Sequence, residues 1–369
     1  MTATTPYFLR NTLADVPGQR GMPMSPDIVF STSGPPDWMP QPGTPSSYIT
    51  AAGYGTDYGS AIQSGGIVNE VYVRALNTDP SAQIPTRLWL MLAEYDLIPW
   101  PQKWRSDGIS VADQSTPRNY QDGDDLLSGG PEPYVVTQLP FLVVAPPVRT
   151  SYSCIAMAEP FPGADPPNSL SNPPSAPPAA AEPRTWDQLV QFLRTNDGFA
   201  WRNSRDVSSL GSVWQQIIPF TGPEEGGGTI NVGIQCLNMP TDGFISASMA
   251  GPNVQNSFHL PKTQITMPNM NLSVPITLPP GFRTSMVVSY WQGATTPPAM
   301  AAVVPTIQVH VSTVEGILDG PRPGPPVTRT RLHDPVSMQP MGWQKTYRIG
   351  AAPLVWGTPP PPGQLKTRS

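Results

Sequence analysis

The side chains that could do chemistry in this sequence are few and far apart. Its three histidines, His259, His310 and His333, sit in unrelated contexts. A zinc site asks for ligands at short fixed spacing such as H-x-x-x-H or C-x-x-C, and neither spacing occurs. His310, in the run IQVHVS, reads as an ordinary strand residue. No G-x-S-x-G elbow is present to raise a serine nucleophile, and no glycine-rich phosphate cradle of known type is present either. The run YQDGDDLL places Asp122, Asp124 and Asp125 close together. Calcium takes about six to eight oxygen ligands, so these three are calcium candidates, set against the plainer reading of a solvated turn. Cys154 and Cys236 each lie in an apolar stretch, SYSCIAMA and INVGIQCLNM. Free buried cysteine behaves as a small hydrophobe, and that reading stands beside a disulfide. The expectation is a chain with no cofactor and no enzymatic activity.

The aromatic residues carry more information. Trp100 and Trp104 fall in LIPWPQKW, and Trp38 falls in PPDWMP. Tryptophan between prolines stacks on sugar rings, anchors protein interfaces, or caps the edge of a sandwich. A second apolar island, MGWQKTYRIGAAPLVWG, lies in a Pro/Gly-rich tail and contains Trp343, Tyr347, Ile349 and Trp356. These seven residues are the interface candidates. QKTYRIG alternates as a strand does, a pattern suited to sheet-edge addition on a neighbouring subunit or on the chain's own sandwich.

The elements that must hold these residues are strands. Of 369 residues, 51 are Pro and 32 are Gly. A proline costs about 3 kcal/mol in a helix interior, which excludes a helical bundle. Charged residues make up 13% of the chain, about half the usual share of roughly 25%. Long charged helices of the doubly wound α/β kind are missing. The net charge of −5, with scattered arginines, argues against a phosphate-tracking surface, so nucleic acid is not an expected partner. No stretch approaches about 18 consecutive apolar residues, so no membrane span is expected. The N-terminus lacks a basic segment followed by an apolar one. The chain is therefore expected to be made in the cytoplasm without a signal peptide, and to join any extracellular or phage-type particle by another route.

IVNEVYVRALN is the clearest strand, with Val68, Val71 and Val73 set against Glu70, Tyr72 and Arg74. TRLWLMLAE follows, with Leu88, Leu90 and Leu92 on one side. PYVVTQLPFLVVAPP and RTSYSCIAMAEP supply further strands. Val71, Val73, Leu88, Trp89, Leu90, Phe141, Val143 and Ile155 are expected to line or edge the first core. TWDQLVQFLRTN is the one good helix, over residues 185–196, with Thr185 as its N-cap. Its Trp186, Leu189, Val190 and Leu193 share a face. Beyond it, short apolar runs at intervals of about 8–14 residues repeat the sandwich pattern.

The segments FLRNTLADVPGQRG, SPDIVFS, NEVYVRALN, LIPWPQKW, SYSCIAMAE and FAWRNSRDV occur in that order over about residues 8–207. They resemble a bacterial immunoglobulin-like module similar to the CARDB-type, adhesion-related domains. The resemblance implies a β-sandwich serving an accessory, adhesive or scaffolding role, without catalytic residues of its own.

The expected architecture is all-β, with two antiparallel immunoglobulin-like sandwiches. An N-terminal arm (1–25) precedes the first sandwich (26–160). A Pro-rich linker with the short helix (161–198) leads to the second sandwich (199–314) and a Pro-rich C-terminal arm (315–369). The expected role is a bacterial structural protein that self-assembles into a filament, lattice, shell or phage-type particle. The homo-oligomer would be held by sandwich contacts and docked arms, with another structural protein or a surface glycan as a further partner. The alternative is an adhesin- or lectin-like module using exposed Trp and Tyr loops.

Overall fold

A computed structural model describes residues 6–11, 25–31, 49–56, 68–80, 86–94, 96–98, 100–105, 108–112, 119–122, 126–129, 132–144, 152–160, 183–204, 213–295, 305–314, 328–334 and 337–355. The first unit opens with β1 (Tyr7–Phe8), β2 (Ile28–Ser31) and the single-turn helix α1 (Ala51–Tyr54). Then come β3 (Val68–Asn77), β4 (Thr86–Glu94), β5 (Ile109–Val111), β6 (Tyr120–Asp122) and β7 (Leu126–Gly129). β8 (Glu132–Thr137), β9 (Phe141–Val144), β10 (Tyr152–Pro160), helix α2 (Trp186–Thr195) and β11 (Phe199–Ser204) complete it. The second unit contains β12 (Val213–Thr221), β13 (Gly228–Leu237), β14 (Phe244–Met249), β15 (Phe258–Gln264) and β16 (Asn271–Leu278). It ends with β17 (Arg283–Trp291), β18 (Thr306–Val314), β19 (Thr328–His333) and β20 (Pro340–Val355).

The fold is all-β and sandwich-like, as the alternation of the sequence predicts. In the first unit a sheet ordered β5-β9-β3-β8-β7, with β1 and β2 also on β3, faces a sheet ordered β11-β10-β4-β6. Leu88, Leu90 and Leu92 point between them, onto Val71, Val73, Phe141 and Val143. Two of the expected core residues go elsewhere. Trp89 and Ile155 lie on the opposite face of their sheet, with Met91 and Met157, and pack toward α2 and the second unit. β4 reads TRLWLMLAE and is buried on both faces, because a second layer covers what would otherwise be its solvent side. Val68, placed by its type on the apolar side of β3, is 48% exposed at the strand's start.

The unit boundaries also differ from the expected ones. The described part of the N-terminal arm belongs to the first sandwich, since β1 pairs with the end of β3 and Leu9, Arg10 and Asn11 are buried. β11, expected in the second sandwich, pairs along its length with β10. The chain returns to its first sheet after α2 because Phe199 and Trp201 bury against it.

Helix α2 forms where expected. The Thr185 hydroxyl accepts from the Gln188 backbone N–H at 3.2 Å, and the Gln188 side chain accepts from the Thr185 backbone N–H at 3.2 Å. This reciprocal capping box satisfies two orphan donors of the first turn. Trp186, Leu189, Val190 and Leu193 are all buried.

The second unit stacks a sheet ordered β12-β17-β14-β15 on a closed barrel ordered β13-β16-β19-β20-β18. The last two strands of that barrel come from the expected C-terminal arm. β20 runs antiparallel to β18 from Thr306↔Val355 to Val314↔Thr346, so this part of the tail is packed on its own chain. Ser273↔Leu332, a parallel bridge, closes the ring.

Two stability predictions follow from this arrangement. Leu90 is fully buried, so Leu90→Ala is expected to cost about 2–5 kcal/mol in chemical denaturation. Deleting residues 328–369 removes two barrel strands together with the buried Tyr347, Ile349, Ala352 and Leu354. The truncated chain should lose the thermal transition of its second unit, and a truncation that melts like the full chain would show the hairpin to be dispensable.

Candidate functional site

Among the described residues, buried polar side chains gather in three clusters. The first joins the N-terminal segments to β3. The Arg10 guanidinium reaches the Asp27 carboxylate at 2.5 Å, and Arg74 stands 3.7 Å from the same carboxylate. Arg10 also lies 3.4 Å above the Tyr54 ring, and that ring stacks on Tyr134 at 4.5 Å. Both guanidinium groups also donate to main-chain carbonyls. Arg10 donates to Tyr54, while Arg74 donates to Gly53, Pro26 and Thr56. Several of these carbonyls belong to the last turn of α1, where a cation complements the exposed C=O groups. Burial, with Asp27 beside it, pushes the Tyr54 phenol well above its ordinary range. Arg74 reads in the sequence as the polar side of an alternating strand, yet it is completely buried. Nothing in the local pattern reveals this, because its partners come from 18 to 48 residues away.

The second cluster fastens the two units together. Asp96 accepts from Lys103 at 2.7 Å, the Thr221 hydroxyl at 2.6 Å, the Thr221 backbone N–H at 3.2 Å and the Ile98 backbone N–H at 3.1 Å. Beside it the Trp100 indole N–H donates to the Thr221 carbonyl at 2.8 Å. Trp100 and Trp186 lie 5.4 Å apart, and Trp104 stacks on Phe199 at 5.1 Å. Trp100 and Trp104 are therefore buried joints of the chain's own body, 4% and 6% exposed, and not surface anchors. Tyr347 and Ile349 are likewise buried, in the core of the second unit. Trp343 lies in β20 opposite Arg331. Trp38 and Trp356 lie outside the described residues. Asp122 ends β6 opposite Arg87, whereas Asp124 and Asp125 lie outside the described residues. Among the described residues no group of three or more His, Cys, Asp or Glu could hold a metal ion.

The third cluster lines the inner face of the barrel. β13 sends Ile230, Val232, Ile234 and Cys236 into the sandwich core. Its alternate residues, Asn231, Gly233 and Gln235, fall on the other face. That face also carries Gln308, His310 and Ser312 from β18, and Asn231, Gln308, His310 and Ser312 are all buried. Arg348 donates to Gln308 at 2.7 Å and to Gln235 at 3.2 Å. His310 Nε2 meets Asn271 Oδ1 at 3.3 Å. Gly233 lies opposite His310, and a Cβ there would stand 2.6 Å from the imidazole, so only glycine leaves the ring its space. Burial, reinforced by the nearby Arg348 charge, holds the His310 pKa well below the ordinary imidazole range. Burial also lowers Arg348 to about 10 and raises the Cys236 thiol to about 12. Cys154 and Cys236 are free and buried, which makes them poor nucleophiles.

Among the described residues, exposed apolar side chains also lie on the outer face of the β12-β17-β14-β15 sheet. β12 is an edge strand of this sheet, pairing in register with β17 from Val213↔Trp291 to Thr221↔Arg283. Val213 and Ile217 are 57% and 58% exposed. Lys262 lies over the rings of Trp291 and Phe244, at 4.6 and 5.2 Å. In the sequence, VWQQIIPF reads as one more of the short apolar runs of the second sandwich. Its exposure follows from an edge position that only the sheet order reveals.

No family model matches the chain, and no curated protein matches it. Among solved structures, the collagen adhesin (CNA) from S. aureus is similar with a TM-score of 0.18 and 5% identity, over 79% of this chain and 91% of that chain. So slight a likeness carries no argument about function. No helix among the described residues is long and apolar enough to cross a membrane.

The buried histidine makes acid stability a test of the barrel interior. The folded state holds His310 neutral, while in the unfolded chain the imidazole titrates near its ordinary value of about 6.5. Below that value the unfolded state binds the extra proton, so stability falls as pH drops, by up to about 1.4 kcal/mol per pH unit. His310→Gln should flatten the dependence of unfolding free energy between about pH 6.5 and pH 5. An unchanged slope in the variant would place the acid sensitivity elsewhere.

Proposed function

We propose that this protein is a non-enzymatic structural component that associates with copies of itself. The observation that carries this reading is the outer edge of the second unit: an edge strand without a charged residue, with Val213 and Ile217 exposed, among described residues whose Trp100 and Trp104 are buried. A core that runs without a break from β4 and β10 through α2 into the second unit supports it, because a rigid body suits repeated assembly. Charged residues are depleted at protein interfaces, and the low charge of the chain fits that composition. The resemblance of the first unit to bacterial immunoglobulin-like modules of CARDB type fits a scaffolding role as well.

The adhesin- or lectin-like alternative draws less from the aromatic loops than their sequence suggests, since Trp100 and Trp104 are buried. Light scattering of the purified chain over a concentration series separates the two readings. Self-association should raise the weight-average mass with concentration. A mass that stays at that of one chain throughout would overturn the structural reading, and glycan binding by that monomer would promote the alternative.

A further inference from the structure

The sheet β12-β17-β14-β15 has two edges, and they are built differently. β15 carries Pro261 and Lys262 at its centre, and its register with β14 slips between Ile245 and Ala247. Proline, lysine and bulges are the usual means by which an edge strand resists pairing with another chain. β12 has no charged residue, and its single proline, Pro219, lies near the end already covered. The Pro219 carbonyl accepts from the Leu97 N–H at 2.9 Å, and the Thr221 N–H donates to Asp96 at 3.2 Å. These bonds also fix the direction of the backbone. In a strand, main-chain groups of alternate residues point to the same side. Since those of Pro219 and Thr221 point away from β17, those of Val213, Gln215 and Ile217 do as well. The Ile217 carbonyl accepts from the side-chain amide of the adjacent Gln216 at 3.0 Å.

The residues along this open edge read the same from either end. On the outer face the order is apolar, amide, apolar: Val213, Gln215, Ile217. One strand further in, their partners on β17 are apolar, polar and apolar: Trp291, Ser289 and Val287. We propose that this edge pairs with the same edge of a second copy of the chain, antiparallel, about a two-fold axis through Gln215. This inference rests on the self-association proposed above and specifies where it occurs.

In that register Gln215 meets Gln215 of the other copy and exchanges both main-chain hydrogen bonds with it. Val213 of each copy meets Ile217 of the other, so each exposed apolar side chain lands on an apolar one. A two-fold interface requires such self-complementarity, and an added strand supplies main-chain hydrogen bonds along its length. The two four-stranded sheets become one continuous sheet of eight. A shift of one residue in either direction would lose the match, because the side chains would then face opposite sides of the sheet.

The test uses the full-length chain and two exposed positions, with the thermal transition of each variant confirming that it is folded. Ile217→Lys sets a charge at the pairing edge and should weaken self-association at least tenfold in sedimentation equilibrium. Gln215→Cys brings two thiols opposite each other at a Cα separation of about 5.5 Å, within the disulfide range of roughly 4.4–6.8 Å. Mild oxidation should convert it to a covalent dimer on a non-reducing gel. Val68→Cys, also exposed but away from this edge, should stay monomeric on that gel. The native cysteines are buried and do not interfere. If the wild-type chain associates, Ile217→Lys associates equally well and Gln215→Cys does not cross-link, the edge is not the contact, although self-association stands. If the wild-type chain is monomeric at every concentration and Gln215→Cys does not cross-link, both the edge and the structural role fail.

Discussion

The junction around Trp100 is the constraint on which the two halves of this molecule depend. A short segment after β4 turns away from the first sandwich and pushes Trp100 against Trp186 of α2. It then ties its indole to β12 through the Thr221 carbonyl. Asp96 binds the same threonine through side chain and main chain. A buried tryptophan contributes several kcal/mol through its area alone, and a carboxylate with four donors has no cheaper place to go once water is excluded. Gly350 of β20 completes the contact, since any Cβ there would run into the Leu97 carbonyl. The second unit is thus held by fixed directions and not by a flexible linker.

This junction explains why the central sheet is apolar on both faces. β4 and β10 send one set of side chains into the first sandwich and the other toward α2 and the second unit. A sheet in the middle of three layers has no solvent face, so alternation between polar and apolar residues is lost. The aromatic residues Trp89, Trp104, Phe199 and Trp201 fill the wide gap between helix and sheet, which smaller side chains would leave void.

Charge follows the opposite logic. Arg74, Asp27 and His310 are in the interior: Asp27 accepts from Arg10, Arg74 donates to main-chain carbonyls, and His310 meets the Asn271 amide, while Arg348 donates to the Gln308 side chain. Removing one partner from such a set leaves the other buried and unsatisfied, so these clusters specify how segments distant in sequence fit together. On the outer sheet of the second unit, β12 itself carries no charged residue. An edge of that kind does not repel a second copy of itself.

The sequence alone determined the local elements. Proline and glycine content excluded long helices, alternation located β3 and β4, and the Thr185–Gln188 spacing capped α2 where it stands. These are properties of neighbouring residues, and neighbours are what a sequence displays. Tertiary structure alone decided which elements belong together. It placed β11 in the first unit, made barrel strands of the tail segment containing Tyr347 and Ile349, and buried Trp100 and Trp104 while leaving Val213 and Ile217 exposed. The reason is that burial depends on what covers a strand, and the covering segments come from far along the chain. Type and spacing show that a strand has an apolar face, but only the sheet order shows whether anything lies against it.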